Sequence, residues 1–179
     1  MDHFSPSYFA LLGPIDQANL FDKIMPISIV RVLNALSKAG VRCLLGGDMA
    51  LTLHGIPGRS ADLDLLIDSD ESNIQRFIET MGSEHIDQAG HASLQRLSDT
   101  KRNASCSLRL LDSSEFQIQI LSKIPLPFEE AYERRVSFLS GSLTIDLISI
   151  EDLVILKNAS DDPAGLADAK ALERIVRYR

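Results

Sequence analysis

The chain has no tryptophan, only two cysteines and four histidines, and no excess of basic charge. Each shortage excludes something. Cys43 and Cys106, both within strand-like runs, are too few for a disulfide framework and read as buried thiols. His3, His85 and His91 are scattered, with no cysteine or acidic partner at metal-ligand spacing, which excludes a zinc-type site. A formal net charge of −7 argues against broad electrostatic binding of nucleic acid, because Lys and Arg carry phosphate affinity. The local basic groups (Arg96, Lys101, Arg102 and Arg109; Arg134 and Arg135; Arg174, Arg177 and Arg179) read as solvated faces and helix C-terminal charges. Apolar runs such as residues 63–67 are far too short to span a bilayer, so no membrane partner is expected. MDHFSPSYFALLGP has no basic residues ahead of its apolar ones, so no secretory signal is expected and a cytoplasmic location is the default.

What remains is ordinary globular material, 45% hydrophobic and 24% charged, long enough for a sizeable core. Residues 1–26, with Pro6, Gly13, Pro14 and Pro26, lack a period and read as an N-terminal arm with one short helix near 15–23. Residues 27–179 are expected to form a single domain. Ile27, Val30, Leu33, Leu36 and Ala39 recur at helical spacing, and Gly40 sits at the C-cap position. A strand over 41–45 runs into Gly46-Gly47, a short helix over 48–53 follows, and Gly55-Ile56-Pro57-Gly58 ends it. A strand over 63–67 precedes a helix capped by Ser69 or Asp70 and ended by Gly82. Residues 85–103 are polar with little periodicity and read as a hairpin or mobile loop.

Strands over 105–111 and 115–121 should pair antiparallel, the second alternating Phe116, Ile118 and Ile120 with Gln117 and Gln119. Pro127 opens a helix, FEEAYERR. Ser140-Gly141-Ser142 marks a hairpin between 136–139 and 143–148. Ser149-Ile150-Glu151-Asp152 resembles a capping box, and a last helix carries Leu166, Ala169, Leu172, Ile175 and Val176. The sum is an α+β fold of the α/β type, a mixed β-sheet flanked by helices.

The chemistry concentrates in LLGGDMALTLHGIPGRSADLDLLID, residues 44–68. Side chains alternate along a strand, so Asp62 and Asp64 share one face while Leu63 and Leu65 point into the core. Paired carboxylates beside a glycine turn and a helix start are what a divalent metal and a polyphosphate require. Asp-x-Asp alone is a common accident. Its surroundings are more specific: Gly46-Gly47 with Asp48, Ala50, His54-Gly55, Gly58, Ser60, and then Asp62-Leu63-Asp64. In this order they resemble the nucleotidyltransferase superfamily with the DNA polymerase β-like fold, in the small branch that includes the AbiEii-type toxins of toxin–antitoxin pairs. Pro127-Phe128-Glu129-Glu130-Ala131, the hairpin, Ile150-Glu151-Asp152-Leu153, Lys157 and Leu166-Ala167-Asp168 continue the likeness, which covers about residues 27–176.

The resemblance implies nucleotidyl transfer from an NTP to an acceptor, which is an RNA, a protein or a small molecule, with an antitoxin as partner if the chain is a toxin. Asp62 and Asp64 would hold Mg²⁺ or Mn²⁺ as the catalytic carboxylates. Gly46, Gly47, Ser60, Arg59 and Lys157 would bind the nucleotide. Three positions depart from the family's pattern. Gln119 stands where a third carboxylate belongs, unless Glu115, Asp112 or Asp146 replaces it. Asp48 falls on the second turn position, where a carboxylate repels a triphosphate. Gly58 occupies the usual arginine position, with Arg59 one residue later. These departures give the alternative reading, a catalytically degenerate member that senses nucleotide or binds protein. His54 reads as a helix-terminal packing or hydrogen-bonding residue, and Lys157 with Asp168 as a structural pair or solvated charges.

Overall fold

Apolar spacing of three and four residues builds the first helix. In α1 (Ile27–Lys38), Ile29, Val32, Leu33 and Leu36 make one buried stripe. The helix closes in a Schellman turn: Gly40, at φ +65, donates to the Ser37 carbonyl and Val41 donates to the Leu36 carbonyl, each at 3.0 Å. The computed structural model describes residues 27–54, 56, 62–84, 86–99, 105–110, 117–121, 124–140, 142–159 and 163–177. The N-terminal arm with its expected helix, and Arg59, Ser60, Asp112 and Glu115, lie outside the described residues.

Six strands form one mixed sheet: β1 (Cys43–Leu45), β2 (Leu63–Ile67), β3 (Ser105–Arg109), β4 (Gln117–Leu121), β5 (Val136–Ser140) and β6 (Leu143–Leu147), in the order β3-β4-β2-β1-β6-β5. β2 runs antiparallel to β1, with Leu44 opposite Leu66, and parallel to β4, with Asp64 opposite Gln119. β6 runs parallel to β1, and both hairpin-like pairs, β3–β4 and β5–β6, are antiparallel as expected.

The pleat sorts side chains into two cores. Leu63, Leu65, Ile67, Ile118, Ile120, Ile145 and Leu147 meet α1 together with α3 (Glu71–Gly82) and α4 (Gln88–Asp99). Leu44 and Leu66 turn the other way, where the second cluster includes residues of α5 (Phe128–Glu133), α6 (Ile150–Asn158) and α7 (Pro163–Arg177). The short α2 (Gly47–Leu53) supplies Met49 and Leu53 to one core and Ala50 and Leu51 to the other. The architecture is therefore α+β, a mixed sheet with helices on both faces.

Caps set the helix starts. Asp70 accepts from the Ser72 and Asn73 amides at the head of α3, and Ser149 accepts from the Asp152 amide at the head of α6. The reading of residues 85–103 as a hairpin or mobile loop is corrected: residues 88–99 are helical. Asp87 caps that helix by accepting from the Gly90 amide at 2.7 Å, and Ser93, Leu94 and Leu97 are buried. Serine and glycine take core-facing places there, so the stripe that packs against β3 does not read as apolar. Both cysteines are half-buried, and burial, then the nearby Asp146 charge, pushes the Cys43 thiol up to about 12.

Candidate functional site

The site forms where β1 ends and β2 begins. Gly46 donates its amide to the Asp64 carbonyl at 2.8 Å, which seats the turn directly against the head of β2. The fit leaves no room for side chains on the turn. A Cβ at Gly46 would meet the Leu66 side chain, and one at Gly47 would meet the Asp64 carboxylate. Gly47 also sits at φ +60, so glycine is required there twice over, for conformation and for space.

Asp62 immediately precedes β2 and Asp64 is its second residue, with Leu63 fully buried between them. One Asp62 oxygen accepts from the Gln117 amide at 3.3 Å. The Asp64 carboxyl is raised to about 6, first by burial, then by the charge of Asp48, with a further contribution from Asp62; Lys157 pulls the other way. A carboxylate crowded by two others is held in a state that an added cation would relieve.

Lys157 reaches this group from α6. Its Nζ donates to Asp48 Oδ1 at 2.8 Å and to Asp168 Oδ2 at 3.1 Å, with the lysine side chain 18% exposed. The expected Lys157–Asp168 pair is thus present, and Asp48 is its third member. Asp48 does not cap its own helix: Gly46 is the N-cap residue of α2, and no side chain caps it. Hydrogen bonds to Asp48 and Asp168 outweigh burial and hold the Lys157 ammonium above its ordinary range.

On the neighbouring strand, Gln119 stands in register with Asp64 and on the same face. Its amide turns aside, donating to Ser107 Oγ at 3.1 Å and to Gln117 Oε1 at 3.3 Å. Asp146 does not join the site; it accepts from Ser137 Oγ at 2.6 Å and pairs with Arg135 at 3.3 Å. Among the described residues no group of three His, Cys, Asp or Glu side chains is arranged to hold a metal ion. His54 caps the C-terminus of α2, and its Nε2 hydrogen-bonds the Ile148 carbonyl at 2.7 Å, a structural role.

Two hard carboxylates suit a Mg²⁺ ion that takes one or two protein oxygens and fills its other positions with water and phosphate. They do not suit a cage built wholly from protein. The donor set therefore fits metal arriving with a polyphosphate, with Asp62 and Asp64 as its protein ligands. Of the residues singled out from the sequence, the structure brings Gly46, Gly47, Asp62, Asp64 and Lys157 into one region. Sequence reasoning did not find that Asp48 meets Lys157, 109 residues away along the chain, because no local period reports such a contact.

Among the described residues no helix is long and apolar enough to cross a membrane. No protein-family model matches the chain, and comparison with curated proteins and with solved structures gives no match either.

Proposed function

We propose that the protein is a nucleotidyltransferase of the DNA polymerase β-like kind, taking NTP·Mg²⁺ and passing the nucleotidyl group to a hydroxyl of an acceptor. One observation carries the reading. The two-glycine turn is pressed against the Asp64 carboxylate at the head of the central strand, so a ligand reaching Asp64 from the turn side meets the backbone of Gly46 and Gly47. Backbone amides in such a turn suit phosphate oxygens. Asp62 and Asp64 would hold the divalent ion, which would supply charge neutralisation to the phosphates; in the transfer the acceptor hydroxyl loses its proton to solvent, its oxygen bonds to the α-phosphorus, and the bond to pyrophosphate breaks. Lys157 adds a point charge on the phosphate side. The acceptor belongs to the classes an RNA end, a protein hydroxyl or a small molecule, and a silencing antitoxin is the partner expected of a toxin of this branch.

A second reading rests on Gln119. A neutral amide in register with Asp64 cannot take the proton of an attacking hydroxyl, which favours a degenerate member that binds nucleotide without transferring it. Labelled NTPs incubated with Mg²⁺ or Mn²⁺ and a pooled lysate acceptor separate the two. Transfer by the native protein that disappears in Asp62→Ala/Asp64→Ala supports the enzyme. Nucleotide-dependent stabilisation without transfer supports the sensor. Absence of any metal- or NTP-dependent change defeats both.

A further inference from the structure

Lys157 is the cation beside the paired aspartates, and two carboxylates from different helices hold it there. Asp48 lies in the first turn of α2, directly after the glycine turn, and Asp168 lies on α7. Their bonds to the ammonium, 2.8 Å and 3.1 Å, span three helices and leave the side chain only 18% exposed. An ammonium has three N–H donors, and these bonds use two of them. A triphosphate approaching Asp62 and Asp64 therefore meets a lysine whose charge two carboxylates already offset.

We propose that Asp48 and Asp168 form an autoinhibitory clamp on Lys157, which an incoming polyphosphate must compete away before the lysine can contact it. This rests on the nucleotide-binding reading and adds to it a built-in brake located at Asp48. The clamp discriminates by charge. A triphosphate, with several anionic oxygens beside a divalent ion, competes for the ammonium better than a monophosphate does. It also links the helix that follows the glycine turn to α6 and α7 through side-chain charge. Neutralising either carboxylate while keeping its shape should loosen the brake.

The probe is Mg²⁺–tripolyphosphate, which carries the part of any NTP that faces the clamp and is independent of the base. Calorimetric titration compares the native protein with Asp48→Asn, Lys157→Met, their double variant, Asp168→Asn and Asp62→Ala/Asp64→Ala. The clamp predicts that Asp48→Asn tightens binding on the order of fivefold, that Asp168→Asn moves affinity the same way, and that the gain from Asp48→Asn collapses in the Lys157→Met background. An equal gain in both lysine backgrounds overturns it, since simple removal of a repulsive charge would explain that result. Unchanged or weaker binding by Asp48→Asn and Asp168→Asn, with native binding intact, also overturns it. If Asp48→Asn does not fold, Asp168→Asn alone decides the direction. Binding that Asp62→Ala/Asp64→Ala leaves untouched, or no binding by any form, defeats the nucleotide reading itself and the clamp with it.

Discussion

The two ends of β2 carry the same residue type in opposite circumstances. Asp68, just past the strand's C-terminal end, accepts a 2.8 Å bond from Arg42, whose other arm reaches Glu129 at 2.6 Å. The Arg42 guanidinium lies 4.5 Å from the Tyr132 ring centre, and Arg135 lies 4.1 Å away, so aromatic and ionic contacts close that end together. Asp64, near the strand's start, has no ion pair within 4.0 Å among the described residues, and burial with neighbouring carboxylates raises it to about 6. One end of the strand is finished as structure. At the other, the described residues give Asp64 no ion pair, and such uncompensated charge is retained at sites of function more often than elsewhere.

The largest effect should come from Asn73, which joins the finished end. Its buried amide accepts from the Arg42 amide at 2.8 Å and donates to the Arg42 and Asp68 carbonyls at 3.0 Å each. Asn73→Leu takes this partner from the Arg42 amide and the Asp68 carbonyl, while the Arg42 carbonyl keeps the Asp68 amide at 3.1 Å, and it should cost roughly 3 kcal/mol in urea unfolding. A cost near zero would mean that the Asp68 end is not rigid and the contrast is false.

Gly47→Ala comes next, at the other end. The methyl group meets the Asp64 carboxylate in a left-handed backbone, so a loss of about 2 kcal/mol is expected, along with displacement of Asp64. Pairing it with Asp64→Gly should recover part of that loss, because the clashing partner is gone; thermal melts of the two variants measure it.

Asp64→Asn should move stability in the opposite direction. The folded carboxyl, near 6, lies above its ordinary value of 3.8, so the folded state binds the proton more tightly than the unfolded chain does. Ionisation therefore destabilises the fold above pH 6, and that burden lifts as pH falls toward 3.8. Without metal or nucleotide, Asp64→Asn should be more stable than the native protein by about 1–2 kcal/mol at pH 7. The advantage should shrink on titration to pH 5, and an advantage constant with pH would place the cause elsewhere.

The smallest effect belongs to Arg42→Met, which removes the pair at the finished end but keeps much of the side chain's apolar contact. With the arginine side chain 34% exposed, water screens the loss, and about 1 kcal/mol of destabilisation is expected. The signs should therefore oppose: removing a charge at Asp64 stabilises, while removing one at Arg42 destabilises.

Much of this contrast could be read from the chain itself. Alternation placed Leu63 and Leu65 in the core and Asp62 and Asp64 together, and Gln119 could be set on a polar strand face from Ile118 and Ile120 alone. Local signals were also enough for the Gly40 cap, the Ser149 cap and the β5–β6 hairpin. Residues 88–99 were not legible as a helix because Gly90 and Ser93 fill places where a pattern search looks for aliphatic side chains. Nor was the Asp48–Lys157 contact, which depends on how α6 lies against α2. The pairing of Arg42 with Asp68 and Glu129 was hidden for the same reason, since ion pairs across elements carry no sequence period.

On the proposed function, the charge left at the start of β2 belongs to a metal–polyphosphate ligand. Thermal unfolding of the native protein and of Asp64→Asn, each with and without Mg²⁺ and a panel of NTPs, tests it most directly. A ligand at about 100 times its Kd adds roughly 2.7 kcal/mol, a shift of several degrees in Tm. The account predicts that shift for the native protein with at least one NTP only when Mg²⁺ is present. It also predicts that Asp64→Asn starts higher and gains little. An equal gain in both proteins, or no gain with any nucleotide, would contradict it.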